Sequence, residues 1–378
     1  MSKAYLITFT PINRFFFGGS YSLEDSFYAE SLKFPQPTTI LGCLRNTILA
    51  QADIISPTTI IGSFSEEAQK LTGTSTLNRL DDTNVDFGAI ERLSPVFIVK
   101  FKDNAIEDFL FPVPADIMKD GSSLIRFGYE KKTNGKSSYS GRVVEYAILS
   151  KRNPKLREFG YLGGKDFWEE YMHGNSLPHN PYYEEDKIFI AHTSIGIGRK
   201  NRVAEEGMFY TKIDYSLRKG FAFAVIAWLK EDSILKDDVV ILGGEQSTFL
   251  MKVSSLEDIS HPVINMIVNN KCNMSENLSS CSNEEKIIAL SPIVLDKGSN
   301  DRFASTMEHR IVKGMQATRI VKRAKALKSE AISMIPAGSV FYPKEPVSLT
   351  VNWKISYKIG YNYVIKIRRQ ICLNTKCT

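Results

Sequence analysis

The longest apolar run in the chain, FAFAVIAWL from Phe221 to Leu229, most constrains the fold. A helix that crosses a bilayer needs roughly 18 apolar residues, so this run is too short to span a membrane. Its length and β-branched and aromatic content predict a buried strand instead. Hydrophobic residues at 43% and charged residues at 24% are typical of a soluble globular protein. The N-terminal MSKAYLITFTP lacks the features of a secretory signal, so we expect a cytoplasmic protein without membrane contact.

Strand and helix signals alternate along the rest of the chain and predict an α+β protein with antiparallel sheets. Ala4 to Thr10 alternates as a strand does, and PVFIVKF (95–101) is a second strand signal. Gly338 is placed for a tight turn before another strand. At 378 residues, two domains are expected: 1–210, with a long polar insertion at about 120–192, and 211–378. The Asn/Ser-rich residues 269–283 are expected to form a surface loop.

The stretch FPQPTTILGCLRNTIL, Phe34 to Leu49, predicts a helix with two different faces. The prolines keep the entry extended, and Thr38 or Thr39 is expected to cap the first N–H groups. One apolar stripe faces the core: Ile40, Leu41, Leu44 and Ile48. Gly42, Arg45 and Asn46 share another face, where a bare backbone and the positive end of the helix dipole would favour an anion.

Two stretches concentrate positive charge, although the net charge is only +6. GIGRKNRV sets Arg199, Lys200 and Arg202 beside Gly196 and Gly198, where glycines would let backbone N–H groups approach a phosphate. The second stretch, 309–329, holds no acidic residue and seven cations: Arg310, Lys313, Arg319, Lys322, Arg323, Lys325 and Lys328. Both stretches fit a nucleic-acid surface and, equally, a solvated basic surface or hairpin tip.

Catalytic and metal-binding patterns are weak. The five cysteines contain no CxxC pair and the five histidines no HExxH spacing, so neither a metal site nor a cofactor is expected. LGGEQS has no lysine after its glycines, which argues against a P-loop. One histidine acting as general base in RNA cleavage remains an alternative without an identified partner.

Several stretches, in this order, resemble the third subunit of the Cmr effector complex of type III-B CRISPR systems, a family of the RAMP superfamily. They are the aromatic-glycine loop at 15–20, FPQPTTILGCLRNTIL, FPVPADI, GIGRKNRVAEEGMFY, LGGEQSTF, SPIVL and IPAGSVFY. The resemblance implies two ferredoxin-like (RRM-like) modules with irregular insertions. It also implies a non-catalytic subunit that holds the 5′ handle of the CRISPR RNA and docks against the large polymerase/cyclase subunit and neighbouring RAMP backbone subunits.

By this resemblance, the start of the helix, the GIGRKNRV turn and the basic segment line the RNA path. Phe15, Phe16, Phe17 and Tyr21, close to Arg14, are expected to stack on bases. The predicted RNA-binding residues are Arg14, Thr38, Thr39, Gly42, Arg45, Asn46, Arg199, Lys200, Arg202, Lys313, Arg319, Lys322 and Arg323. Two alternatives stay open: a repeat-processing endoribonuclease that uses a histidine base, and a scaffold whose basic surfaces meet acidic proteins.

Overall fold

The structure is a computed structural model and describes residues 2–18, 21–22, 27–54, 65–75, 85–120, 123–126, 128–136, 143–148, 161–177, 182–200, 203–231, 234–256, 259–282, 284–294, 303–307, 318–321, 325–328, 334–343 and 357–369. The strands in chain order are β1 Lys3–Pro11, β2 Tyr21–Ser22, β3 Phe27–Glu30, β4 Ile90–Leu93, β5 Phe97–Lys102, β6 Ala105–Pro112, β7 Ile117–Asp120, β8 Ser123–Arg126, β9 Gly128–Lys136, β10 Val143–Ile148, β11 Tyr161–Gly163, β12 Tyr182–Glu184, β13 Phe189–Lys200, β14 Val203–Leu217, β15 Phe221–Leu229, β16 Asp238–Ile241, β17 Thr248–Ser255, β18 Glu285–Ala289, β19 Phe303–Met307, β20 Thr318–Val321, β21 Lys325–Lys328, β22 Val340–Pro343 and β23 Val364–Arg368. The helices are α1 Pro37–Gln51, α2 Glu66–Thr72, α3 Lys165–His173, α4 Pro262–Val268 and α5 Met274–Ser279, with a 3-10 turn at Glu185–Lys187.

The largest sheet runs in the order β12-β11-β6-β5-β15-β1-β17-β16, and β4 also pairs with β15. The apolar strand β15 lies in its centre, antiparallel to β1 and to β5. Alternate β15 side chains face opposite ways: Phe223 and Val225 join the core on one face, and Ala224 and Ile226 the core on the other. The predicted buried strand is therefore confirmed, and burial on both faces explains why its sequence is continuously apolar.

Helix α1 covers one face of this sheet. Its predicted stripe (Ile40, Leu41, Leu44, Ile48) is buried with Phe9 and Phe223. The predicted threonine cap is wrong. Pro37 is the first helical residue and Gln36 the N-cap, without a side-chain hydrogen bond. Proline lacks an N–H and has a helical φ, so it suits this first position. Thr38 and Thr39 therefore lie inside the first turn, where Thr39 N–H donates to the Gln36 carbonyl over 2.8 Å.

Helices α3 and α4 and a second sheet, β19-β22-β18-β23, cover the opposite face. A buried ion pair of Lys286 with Asp116 ties β18 to the chain after β6, and the Tyr171 hydroxyl donates to Asp116 over 2.7 Å. The predicted insertion at 120–192 does not stay outside the sheet. From residue 161 onward, β11 and β12 extend the main sheet and α3 buries aromatic side chains.

The expectation of a surface loop at 269–283 is wrong. The segment holds α5, and Met274, Leu278 and Cys281 are buried together against the second sheet. Cys272 is buried in the other core cluster, with Ile288 and Tyr363. These four apolar side chains anchor a segment whose other residues are mostly Asn, Ser and Glu. Burial of a few well-spaced apolar groups therefore outweighs the polar composition.

A third sheet, β13-β14-β3-β2, contains the parallel pair β3–β14 and a long antiparallel hairpin, β13–β14. The fold is thus mixed α and β with mostly antiparallel sheets. Gly338 has φ +89° two residues before β22 begins, as the predicted tight turn requires. Residue 210 lies within β14, so the boundary proposed there falls inside a strand. The division into two modules stays a prediction. No helix of the described residues is both long and apolar enough to cross a membrane.

Candidate nucleic-acid interface

The start of α1 is partly covered by the chain itself. Pro37 is buried, Thr38 and Thr39 are half-buried, and the Thr38 hydroxyl lies 3.4 Å from that of Tyr361. Gly42 and Asn46, farther along the helix, are exposed, and a Cβ at Gly42 would meet open space. The open surface therefore lies at Gly42 and Asn46, beyond the first N–H groups.

Arg45 turns away from this open surface. Its guanidinium Nη1 donates to the Ser75 carbonyl over 2.9 Å and lies over the Phe87 ring at 5.3 Å. Burial lowers the pKa of Arg45 to about 10, opposed by the nearby carboxylate of Asp86. Nε and Nη2 are buried with no hydrogen-bond partner among the described residues. Arg45 thus holds α1 against the segment after α2, and its assignment as an RNA contact stays a prediction.

The basic stretch GIGRKNRV lies at one end of the hairpin β13–β14. Arg199 pairs with Ala204 and Lys200 with Val203, after a register shift that follows Ile197. Arg202 lies outside the described residues, in the connection between the two strands. Glu205 and Glu206 follow on β14, so three cations stand against two carboxylates in residues 199–206. The hairpin-tip interpretation of GIGRKNRV is confirmed for the backbone, while RNA contact stays a prediction.

Gly196 has a role that the sequence did not show. It faces Tyr210 across the hairpin, and a Cβ on Gly196 would overlap Cζ of that ring most closely, then Cε1 and Oη. If this Cβ position lay in the plane of the ring, beyond its edge, Cε1 or Oη would be its nearest atom. The nearest atom is Cζ, so the Cβ position lies over the face of the ring, and this face covers Gly196. The backbone at Gly196 is therefore not open to a phosphate on this side, contrary to expectation. Tyr210 itself is 46% exposed.

The base of the hairpin holds a balanced set of charges. Lys212, two residues from Tyr210 on the same face, pairs with Glu245 and lies 3.5 Å from Asp214. Arg14 approaches Asp214 only to 3.9 Å, and its side chain is 54% exposed. Exposed Arg14 thus remains available to an anion, whereas Lys212 is neutralised by two carboxylates.

The aromatic loop beside Arg14 is core, so the expectation that its phenylalanines stack on bases is wrong. Phe15, Phe16 and Phe17 are at most 8% exposed, and the Phe15 ring stacks on Phe17 at 4.7 Å. The LGGEQSTF turn fastens the loop: Phe16 N–H donates to Ser247 Oγ over 3.1 Å, and Gly244 N–H to the Phe16 carbonyl over 2.8 Å. The Tyr21 side chain lies outside the description.

The basic segment is described only in part. Strands β20 and β21 form a hairpin in which Arg319 pairs with Leu327. Lys313, Lys322 and Arg323 lie outside the described residues. The structure therefore shows backbone pairing at Arg319, and RNA contact by this segment stays a prediction.

The described histidines differ in surroundings. His261 caps α4 and is 2% exposed, and burial lowers its pKa to about 3. His192 Nε2 lies 2.8 Å from Ser216 Oγ. His179 and His309 are outside the described residues. Among the described side chains no group of three or more metal-binding residues occurs. Cys43, Cys272 and Cys281 are buried cysteines.

The sequence matches the family model described as CRISPR-associated protein (Cas_Cmr3) over residues 7–362. The chain is therefore a CRISPR-associated protein. It belongs to the Cas_Cmr3 family, which confirms the resemblance found in the sequence motifs.

Comparison with curated proteins found no match. Among solved structures, a chain of the type III-B Cmr-beta bound to cognate target RNA and AMPPnP is similar at a TM-score of 0.45 and 16% identity, covering 96% of both chains. A chain of the same assembly bound to cognate target RNA gives 0.45 and 17%, again over 96% of both. A chain of the apo assembly gives 0.29 and 13%, over 68% of this chain and 98% of that one.

Proposed function

We propose that this protein is a non-catalytic RNA-holding subunit of a type III-B CRISPR effector complex in antiviral defence. It grips the 5′ handle of the CRISPR RNA and docks against the large polymerase/cyclase subunit and neighbouring RAMP backbone subunits, with a body of two ferredoxin-like modules. Membership of the Cas_Cmr3 family supports the assembly. The observation that carries the RNA role is the β13–β14 hairpin, whose backbone brings Arg199 and Lys200 to its end.

The chemistry is charge-assisted contact with phosphates. Lysine and arginine neutralise the RNA backbone and release counterions, so affinity falls with rising salt. Exposed Arg14 and the open helix surface at Gly42 and Asn46 are further proposed RNA contacts.

A charge-matched comparison tests this role. The variant R199A/K200A/R202A is compared with K102A/K236A/K252A, which removes three exposed lysines elsewhere. Binding of fluorescent handle RNA to the whole chain is followed by anisotropy at several salt concentrations. We expect the tip variant to weaken binding at least about tenfold and to lower the salt slope by roughly two, since each single-strand phosphate contact contributes about 0.7. Equal losses in both variants would contradict a specific tip contact.

The same samples test the absence of catalysis. Handle and repeat RNA incubated with the wild-type chain are expected to stay intact on a denaturing gel. Cleavage by the wild type that disappears on replacing one of the five histidines by alanine would overturn the non-catalytic assignment and establish a processing endoribonuclease. Co-purification with the large subunit tests docking. If the complex assembles without RNA and the chain binds no RNA, a plain scaffold is favoured.

A further inference from the structure

We infer that Tyr210 is a stacking platform for one base of single-stranded RNA on the β13–β14 hairpin. The inference deepens the proposed function and rests on it, because it assigns a base contact beside the phosphate-binding tip. One face of the Tyr210 ring lies on Gly196, as the overlap with Cζ, Cε1 and Oη requires. The ring is therefore held flat against the hairpin, while 46% of the residue stays exposed.

The outer side of the ring is unused within the described part of the chain. The Tyr210 backbone pairs with Gly196 and Phe27, but its side chain makes no ring, cation or hydrogen-bond contact with the described residues. The neighbouring Tyr215 and Tyr28, by contrast, both donate to Glu30. A tyrosine fixed on one face and open on the other resembles the aromatic side chains on which nucleic-acid bases stack. Every base has such a face, so this contact tolerates different sequences.

The charges along the hairpin orient the strand. Towards the base, Lys212 is compensated by Glu245 and Asp214, and the Glu245 side chain is 57% exposed, so a phosphate is disfavoured there. Towards the tip, Arg199 lies three residues beyond Gly196, roughly 10 Å at 3.3 Å per strand residue. A base on Tyr210 would therefore carry its phosphates towards Arg199 and Lys200. The hairpin thus changes from a compensated charge at Lys212 to a net positive charge at its tip, where Arg199 and Lys200 lie. This arrangement favours RNA over a protein segment as the ligand.

Gly196 is required for this arrangement, because any side chain would occupy the place of the ring. The hairpin thus offers three variants with distinct outcomes: Tyr210→Ala removes the ring, Tyr210→Phe keeps it without the hydroxyl, and Gly196→Val displaces it. Ile195→Ala is the matched control, since Ile195 is 64% exposed on the opposite face of the same hairpin.

Binding of fluorescent handle RNA to the whole chain tests the inference. We expect Tyr210→Ala and Gly196→Val to weaken binding by roughly 5- to 150-fold, the range of base–aromatic stacking. Tyr210→Phe and Ile195→Ala should stay within about twofold of wild type. Handle RNA carrying 5-iodouridine is expected to crosslink to Tyr210 under ultraviolet light.

Three results would overturn it: wild-type affinity of Tyr210→Ala without a crosslink, equal losses in Tyr210→Phe and Tyr210→Ala, or loss of partner-subunit assembly with RNA binding unchanged. If R199A/K200A/R202A still loses affinity in those cases, the proposed function stands and only the stacking site fails. If no variant, including the tip variant, changes RNA binding, the proposed function fails with it.

Discussion

The aromatic loop at Phe15–Phe17 and the ring of Tyr210 make an instructive contrast. The loop sits beside exposed Arg14 and has the residue types of a base-stacking surface, yet its three rings are in the core. Tyr210 follows Phe209 in β14, at the end of the stretch GIGRKNRVAEEGMFY, and 46% of this residue is exposed. The difference comes from what lies across each strand: Phe223 and Phe249 pack on the loop, whereas Gly196 supports Tyr210 on one face only. Residue type therefore fixes what a ring can do, and packing decides which rings do it.

The largest expected effect is a loss of stability when Phe15, in the buried aromatic loop, is replaced. Phe15→Ala should lower the free energy of unfolding by about 3–5 kcal/mol, because it leaves a cavity beside Phe17 and Phe223. Urea unfolding followed by circular dichroism measures it, with Phe15→Leu as the milder control. Unchanged stability with weakened RNA binding would mean that Phe15 is a base-stacking residue after all.

Buried His261 adds a prediction about the pH dependence of stability. The pKa of buried His261 is lowered to about 3, so the unfolded chain binds the proton first as pH falls through the ordinary value near 6.5. Stability should therefore drop on acidification between about pH 6.5 and 3, by up to roughly 1.4 kcal/mol per pH unit from this group.

His261→Asn retains a capping side chain and removes the titration. The difference between the unfolding free energies of variant and wild type should therefore grow in the variant's favour as pH falls. Nearby Asp108, whose pKa is raised by burial, contributes with the opposite sign. Its Oδ1 lies 3.9 Å from His261 Nε2, so the difference is measured a second time in an Asp108→Asn background, where this carboxyl does not titrate. A pH-independent difference would show that His261 does not titrate with unfolding.

Arg45 and Arg14 extend the comparison between a buried and an exposed side chain to arginine. Arg45→Ala should cost about 1–3 kcal/mol of stability, because it removes the hydrogen bond to the Ser75 carbonyl and the contact with Phe87. Arg14→Ala, at an exposed side chain 3.9 Å from Asp214, should cost less than about 0.5 kcal/mol. Thermal unfolding and handle RNA binding are measured together. Weakened binding at full stability for Arg45→Ala would instead indicate a direct RNA contact.

The smallest expected change is the stability of Tyr210→Ala, within about 0.5 kcal/mol of wild type, because the ring lies on Gly196 and 46% of the residue is exposed. Urea unfolding of the same preparation used for RNA binding provides the comparison. A loss approaching that of Phe15→Ala would remove the distinction between the two rings.

Local pattern alone predicted the elements with a strong period or a long apolar run. The α1 stripe, the central strand β15, the Gly338 turn and the family were all available from the sequence, since each depends on residues close together in the chain or on motif order. The cap of α1 was missed because Pro37 and the threonines are both good first-turn residues. Helix α5 was missed because its few apolar anchors lie among Asn and Ser.

Contacts between distant residues decided the rest. Arg45 meets Ser75, 30 residues away, and Phe16 meets Ser247, 231 residues away. Gly196 meets Tyr210 through the register of a hairpin with an irregularity beyond it. A shift of one residue would put Tyr210 on the other face of the sheet. The sequence by itself thus determined the family, the central strand and the basic hairpin. Tertiary packing alone decided which arginine is occupied and which aromatic ring is exposed, because burial depends on what the rest of the chain brings against each side chain.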